Sequence, residues 1–151
     1  MNWKLNAKEI FGLLARLAVG GVFIYSGAVK ALSPAEEFAY AIEGYRVLGA
    51  QYSLWAANVM PWLELYAGVF LVAGVFTRLS ALCTGAMLLG FEALLGQAWV
   101  RHLPVTSCGC FGSSGSNSIG HEFAQNILLL ALAWAAFRYG GRLSADEAAA
   151  L

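Results

Sequence analysis

The chain has 151 residues, 60% of them hydrophobic and 12% charged, with a mean hydropathy of +0.65. Soluble domains carry about 25% charged residues, so the composition points away from a water-soluble domain and toward a membrane protein of one domain spanning 1–151. Formal net charge is zero, which offers nucleic acid no electrostatic footprint.

Met1 to Lys8, with Trp3 and Lys4, reads as an interfacial lead-in. The first apolar span covers about Phe11 to Leu32. It is too long for a signal-peptide core and lacks an A-x-A site, so it is expected to be retained. Arg16 and Lys30 lie near its ends, where long cationic side chains snorkel to the interfaces. Gly12, Gly20, Gly21 and Gly27 supply small surfaces for close helix contact.

Ser33-Pro34-Ala35-Glu36 has the pattern of a helix start, with Ser33 as N-cap, Pro34 at the first helical position and Glu36 reaching back. Phe38, Ile42 and Tyr45 then recur at helical spacing. The expectation is a short amphipathic helix to about Gly44, lying on the membrane surface or closing over the spans as a lid.

The second span covers about Leu54 to Phe76, with Pro61 inside it and a kink expected there. Thr77-Arg78 is a turn short enough to force the next span antiparallel. The third span covers about Leu79 to Trp99 and the fourth about Ile119 to Tyr139. Each is near the ~20 residues that cross a bilayer. The expected fold is an all-α integral membrane four-helix bundle, with the short extracytoplasmic helix between spans one and two. Cys83, near the far end of the third span, reads as a buried core residue.

Four spans put both termini on one side. Lys4, Lys8, Arg16, Arg78, Arg138 and Arg142 fall on that side, and Lys30, Arg46 and Arg101 on the other. The positive-inside rule then places both termini in the cytoplasm and the other loops outside the inner membrane.

The outward loop, Arg101 to Gly120, holds two of the three cysteines in Ser107-Cys108-Gly109-Cys110-Phe111-Gly112. A thiol reacts as thiolate, so it needs water access and nearby positive charge. Gly109 accepts the positive φ of a tight turn that would bring Cys108 and Cys110 together. A ring that small is strained, and strained disulfides are the labile ones. It is also a poor staple, because closing a short loop removes little unfolded-state entropy. The alternatives are a structural bridge, or soft-metal handling with His102 or His121.

Ionisable groups inside a span are costly and mark function by default. Glu64 lies just past Pro61, Glu92 in the outward half of the third span, Lys30 at the outward end of the first. His121, Glu122, Gln125 and Asn126 open the fourth. All are expected near the level of the cysteine loop, with Glu64 facing Lys30 or Glu92. A plain ion pair between Lys30 and Glu64 that fixes helix register is the competing reading.

These features together give the chain a likeness to one family: Ser26-Gly27-Ala28-Val29-Lys30, Pro61-Trp62-Leu63-Glu64-Leu65, Thr77-Arg78 and the Cys-Gly-Cys-Phe-Gly run. From about Leu13 to Phe137 the chain resembles the MauE branch of the DoxX-like membrane proteins, which are redox-associated and four-helical. MauE is linked to methylamine utilisation, through maturation of a disulfide-rich periplasmic subunit. The resemblance implies that Cys108 and Cys110 are the family's dithiol and that Glu64 and Lys30 belong to its polar positions. Members often carry a basic residue early in the last span, where this chain has Gln125-Asn126. Its absence leaves Lys30, Arg101 or His121 to lower a thiol pKa.

The function expected is thiol–disulfide exchange through Cys108 and Cys110, with Gly109, Glu64, Lys30, Glu92 and His121 in the site. The expected partners are membrane lipids and a periplasmic thioredoxin-like or maturing protein. A quinone near Glu64 and Glu92 is the candidate onward carrier, although no motif marks its site, and no resident metal is expected. The alternatives are an assembly factor or membrane anchor without redox chemistry, and soft-metal handling by the two thiolates.

Overall fold

The computed structural model describes residues 6–104, 119–141 and 144–148. Six helices occupy them: α1 (Ala7–Leu32), α2 (Ala35–Gly44), α3 (Ala50–Ala73), α4 (Thr77–Val100), α5 (Ile119–Tyr139) and α6 (Ala145–Ala148). No strand occurs among the described residues. Helices α1, α3 and α4 are each long and apolar enough to cross a membrane. Helix α5 is 21 residues long. Its polar opening from His121 to Asn126 dilutes its hydropathy and sets it apart from the other three.

The chemistry of packing explains why these helices sit together. Helix α1 packs against α3 and α5, and α4 against α5 and α3. All four contribute to one buried cluster of Val19, Phe23, Leu71, Ala81, Leu88, Leu129 and Ala133. Helices α1 and α3 approach closely because glycine permits it. A Cβ on Gly27 would lie 2.7 Å from the Pro61 carbonyl oxygen, and one on Gly68 would lie 2.8 Å from the Gly20 oxygen. With lipid on the outside, such backbone approach supplies the dispersion contacts that hold helices together. Gly21 does not share this role; it is exposed with nothing near its missing side chain.

Pro61 is buried on this contact, and α3 continues through it as one helix. Helix α2 packs on α3, where Phe38 and Ala39 meet Ala57 with Ile42 and Met60 alongside.

Several local expectations need correction. Ser33 does not cap α2. Pro34 holds the N-cap position, and the Ser33 hydroxyl instead donates to the Val29 carbonyl of α1 at 3.0 Å. The turn after α3 is Gly74-Val75-Phe76, and Thr77-Arg78 already belongs to α4. Gly74 takes the left-handed conformation (φ 72°) that ends a helix. Arg16 and Lys30 do not snorkel; they are 3% and 4% exposed. Cys83 is exposed on α4, not core. Lipid and core are equally apolar, so a small hydrophobe is at home in either. The Cys108-Gly109-Cys110 expectation lies outside the described residues.

Candidate functional site

The site starts from helix spacing. Ser26 and Lys30 are four residues apart on α1 and so share one face. Glu64 follows Pro61 by three residues on α3, on the face that meets Gly27. The Lys30 Nζ donates to Glu64 Oε1 at 2.7 Å and to Oε2 at 2.9 Å. Ser26 Oγ donates to Oε2 at 3.0 Å. Both side chains of the ion pair are 2% exposed. Two rings cover the ammonium: the centroid of Phe38 lies 4.7 Å from Nζ and that of Phe91 lies 5.1 Å away. A desolvated cation over such faces gains about 2 kcal/mol. Three helices and α2 thus converge on one buried charge pair, with the carboxylate accepting three hydrogen bonds.

A cavity of about 20 Å³ adjoins the pair, lined in part by Ser26, Lys30, Glu64, Phe91 and Asn126. That is room for one water, which needs roughly 10–15 Å³. Asn126, on α5, is 6% exposed, and its Nδ2 has no hydrogen-bond partner among the described residues. Asn126 lies beside Glu92 of α4, whose two carboxylate oxygens are also buried and without a partner among the described residues. The structure therefore joins Lys30, Glu64 and Ser26, and sets Asn126 between that pair and Glu92.

The same end of the molecule carries the frame of the cysteine loop. Leu103 follows α4 and is buried with Tyr45, Leu95 and Ala98. Ile119 and Phe123, from the start of α5, pack on the same cluster, as does Phe91. Trp99 and Phe123 meet edge to face at 5.7 Å. Gln97 Nε2 donates to the Tyr45 carbonyl at 3.2 Å, tying α4 to the end of α2. Phe91 therefore touches both the Lys30 ammonium and the cluster that pins residues on either side of the loop. His121 is exposed on the first turn of α5, outside the pair's contacts. Among the described residues no three His, Cys, Asp or Glu side chains gather as a metal site.

A second polar centre occupies the opposite end. Arg16 Nη1 donates to the Gly140 carbonyl at 3.0 Å. Asp146 Oδ1 accepts from the Phe76 N–H and Oδ2 from the Thr77 N–H, each at 2.8 Å. The Asp146 N–H in turn donates to the Gly74 carbonyl at 3.2 Å. One carboxylate thus caps α4 from 69 residues away. The Thr77 N–H is the largest cause holding the Asp146 carboxyl below the ordinary carboxylate range; the Phe76 N–H and Arg16 add to it, against some desolvation.

Sequence reasoning missed Phe38, Phe91 and Asp146. Phe91 adjoins Glu92, but a ring over a cation is a tertiary event with no local signal. The carboxylate cap is equally nonlocal. The Ser26–Lys30 spacing was a usable signal, since a hydroxyl one turn from a buried lysine is placed to share its anion.

No curated protein and no solved structure matches the chain. The sequence model of the family described as methylamine utilisation protein MauE matches residues 8–139. With that match over nearly its whole length, and three helices able to cross a membrane, the chain belongs to the MauE family.

Proposed function

We propose that this MauE-family protein is a multi-pass inner-membrane protein that exchanges thiol and disulfide equivalents through Cys108 and Cys110. In this reading α5 is the fourth span of a bundle of the wider DoxX-like kind. Both termini are cytoplasmic, and α2 and the cysteine loop face the periplasm, where disulfides persist. The observation that carries the reading is Phe91. It couples a buried ion pair to the cluster that anchors both flanks of a Cys-Gly-Cys loop, giving a loop rich in glycine and serine a rigid base.

The exchange balances within the two proteins. A thiolate of a partner attacks the Cys108–Cys110 disulfide and forms a mixed disulfide, freeing the other cysteine as thiolate. The partner's second thiolate then attacks the mixed bond. The partner leaves oxidised, and the pair, having gained two electrons, takes up two protons. His121, exposed where α5 begins, is the proposed proton donor and acceptor for the leaving thiolate. Lys30 and Glu64 act as positioning residues: their pair fixes α1 against α3 and holds Phe91 in place. Glu92 and Asn126 are the proposed polar link between that pair and the loop base. The maturing partner is a periplasmic thioredoxin-like or disulfide-bearing protein of methylamine utilisation.

The test is to express Cys110→Ser, isolate mixed disulfides and identify the protein bound. A periplasmic thiol protein attached through Cys108 supports the reading; no adduct under oxidising growth contradicts it. A membrane-impermeant maleimide should label reduced Cys108 or Cys110 in intact cells, whereas labelling only after lysis reverses the orientation.

A second reading, a membrane anchor or assembly factor without redox chemistry, draws on exposed Tyr40, Val47 and Leu48 around α2. It predicts that Cys108→Ser with Cys110→Ser leaves partner maturation intact.

A further inference from the structure

Two neighbouring recesses at the Arg16 end share walls. The first is a cavity of about 710 Å³ between the start of α4 and the end of α5, with Arg78 and Arg138 on its rim. Both arginines are exposed, and neither has an ion-pair partner among the described residues. The acids lining the same cavity are engaged with backbone. Glu9 accepts from the Asn6 N–H, and Asp146 from the N–H groups of Phe76 and Thr77. The cavity therefore offers two uncommitted guanidinium groups, a donor set suited to the planar, bidentate recognition of phosphate.

The second recess is an apolar groove of about 470 Å³ between α3 and α4, walled by Tyr66, Phe70, Ala86 and Met87 among others. Phe76 and Leu79 line both recesses, and they are 66% and 59% exposed. From Leu79 to Met87 is eight residues of α4, about 12 Å at 1.5 Å each. That is close to half of a ~30 Å hydrocarbon core, the depth of one leaflet. A charged mouth opening onto an apolar groove of one leaflet's depth is the outline of an amphiphile with an anionic head.

We propose that this end of the protein is a binding site for an anionic phospholipid, with its phosphodiester between Arg78 and Arg138 and one acyl chain in the α3–α4 groove. Basic pockets beside transmembrane helices take such headgroups. The site rests on α3 and α4 crossing a membrane and is independent of the dithiol chemistry. It also gives the protein a preference for a leaflet rich in anionic lipid, which reinforces its orientation.

The test uses the full chain purified in detergent. Native mass spectrometry would follow retention of phosphatidylglycerol and phosphatidylcholine of equal chain length, with inorganic phosphate as a separate competitor. The parent should retain phosphatidylglycerol about tenfold more than phosphatidylcholine. Arg78→Gln with Arg138→Gln should abolish that preference. These arginines are exposed, so the fold should survive, and unchanged size-exclusion and circular dichroism profiles would verify it. Ala86→Trp should fill the groove and lower retention of both lipids. Equal retention of the two lipids by the parent, or an undiminished preference in the arginine variant, would overturn the site. Displacement of the lipid by millimolar inorganic phosphate would make it a free-phosphate site, and undiminished retention by Ala86→Trp would remove the acyl-chain assignment. Either result overturns the proposal as stated.

Discussion

The two ends of the helix assembly solve the same problem in different ways. At one end Lys30 and Glu64 satisfy each other, with Ser26 adding a third hydrogen bond. At the other end Arg16 donates to the Gly140 carbonyl and Asp146 accepts from the Phe76 and Thr77 N–H groups, with Arg16 also attracting the carboxylate. The first arrangement concentrates opposite charge in one buried pair, and each partner depends on the other. The second distributes it over helix termini, where orphan backbone groups need partners in any case. Removing one member should therefore be far more damaging at the Lys30 end.

Glu64→Ala tests that contrast most severely. It leaves the Lys30 ammonium buried without its anion, which costs about 3–5 kcal/mol. Replacing both, as Lys30→Met with Glu64→Leu, should recover most of that loss, since apolar pairs of similar volume are often neutral. Unfolding in graded denaturing detergent would show both effects. A single variant as stable as the parent would mean the pair is dispensable.

Gly27→Val comes next. Its new Cβ would meet the Pro61 carbonyl and the Leu65 nitrogen at 2.7 and 2.8 Å, both backbone atoms that cannot rotate away. Overpacking of this kind costs about 1–3 kcal/mol. Gly21→Val on the exposed side should be tolerated, so equal melting temperatures for the two variants would refute the close approach.

Ser26→Ala removes one hydrogen bond to a charged acceptor, worth about 1.5–3 kcal/mol at most. The cavity beside it can admit a water, so the measured loss should fall at the low end of that range. A full-sized loss would argue that no water replaces the hydroxyl.

The smallest effect belongs to Asp146→Ala, and here pH supplies the sharper test. The Asp146 carboxyl is held below its usual value in the folded protein. Its contribution is therefore fully present above the unfolded value of about 3.9 and is lost as pH falls through the lower folded value. Hydrogen exchange at the Phe76 and Thr77 amides should accelerate in that acid window in the parent. In Asp146→Ala it should be fast throughout. Amides equally protected in both proteins would remove the cap from the account.

Legibility in the sequence followed the range of the interaction. Helix α5 ends at Tyr139, where Arg138 and the following Gly140-Gly141 close its apolar run. Helix α3 begins at Ala50 rather than Leu54. Gln51, Tyr52 and Ser53 lower hydropathy without opposing helix, so a span boundary is not a helix boundary. Glu64 and Lys30 stood out as charges in apolar runs. Their covering by Phe38 and Phe91 did not, since neither ring has a partner nearby in sequence. Cys83 went astray because hydropathy cannot tell a lipid-facing position from a core one. The cap on α4 was invisible because its donors and acceptor lie 70 and 69 residues apart in the chain.

Redox equilibration of the purified protein in graded glutathione buffers, followed by alkylation and mass measurement, addresses the dithiol directly. Cys108 and Cys110 should interconvert as one two-electron pair, with a midpoint above the roughly −300 mV below which structural disulfides lie. Gly109→Val should hinder closure of the pair, because a β-branched side chain resists positive φ, while leaving membrane insertion unchanged. A pair that never closes at any poise, or that resists reduction as a structural bridge does, would contradict thiol exchange as the function of this protein.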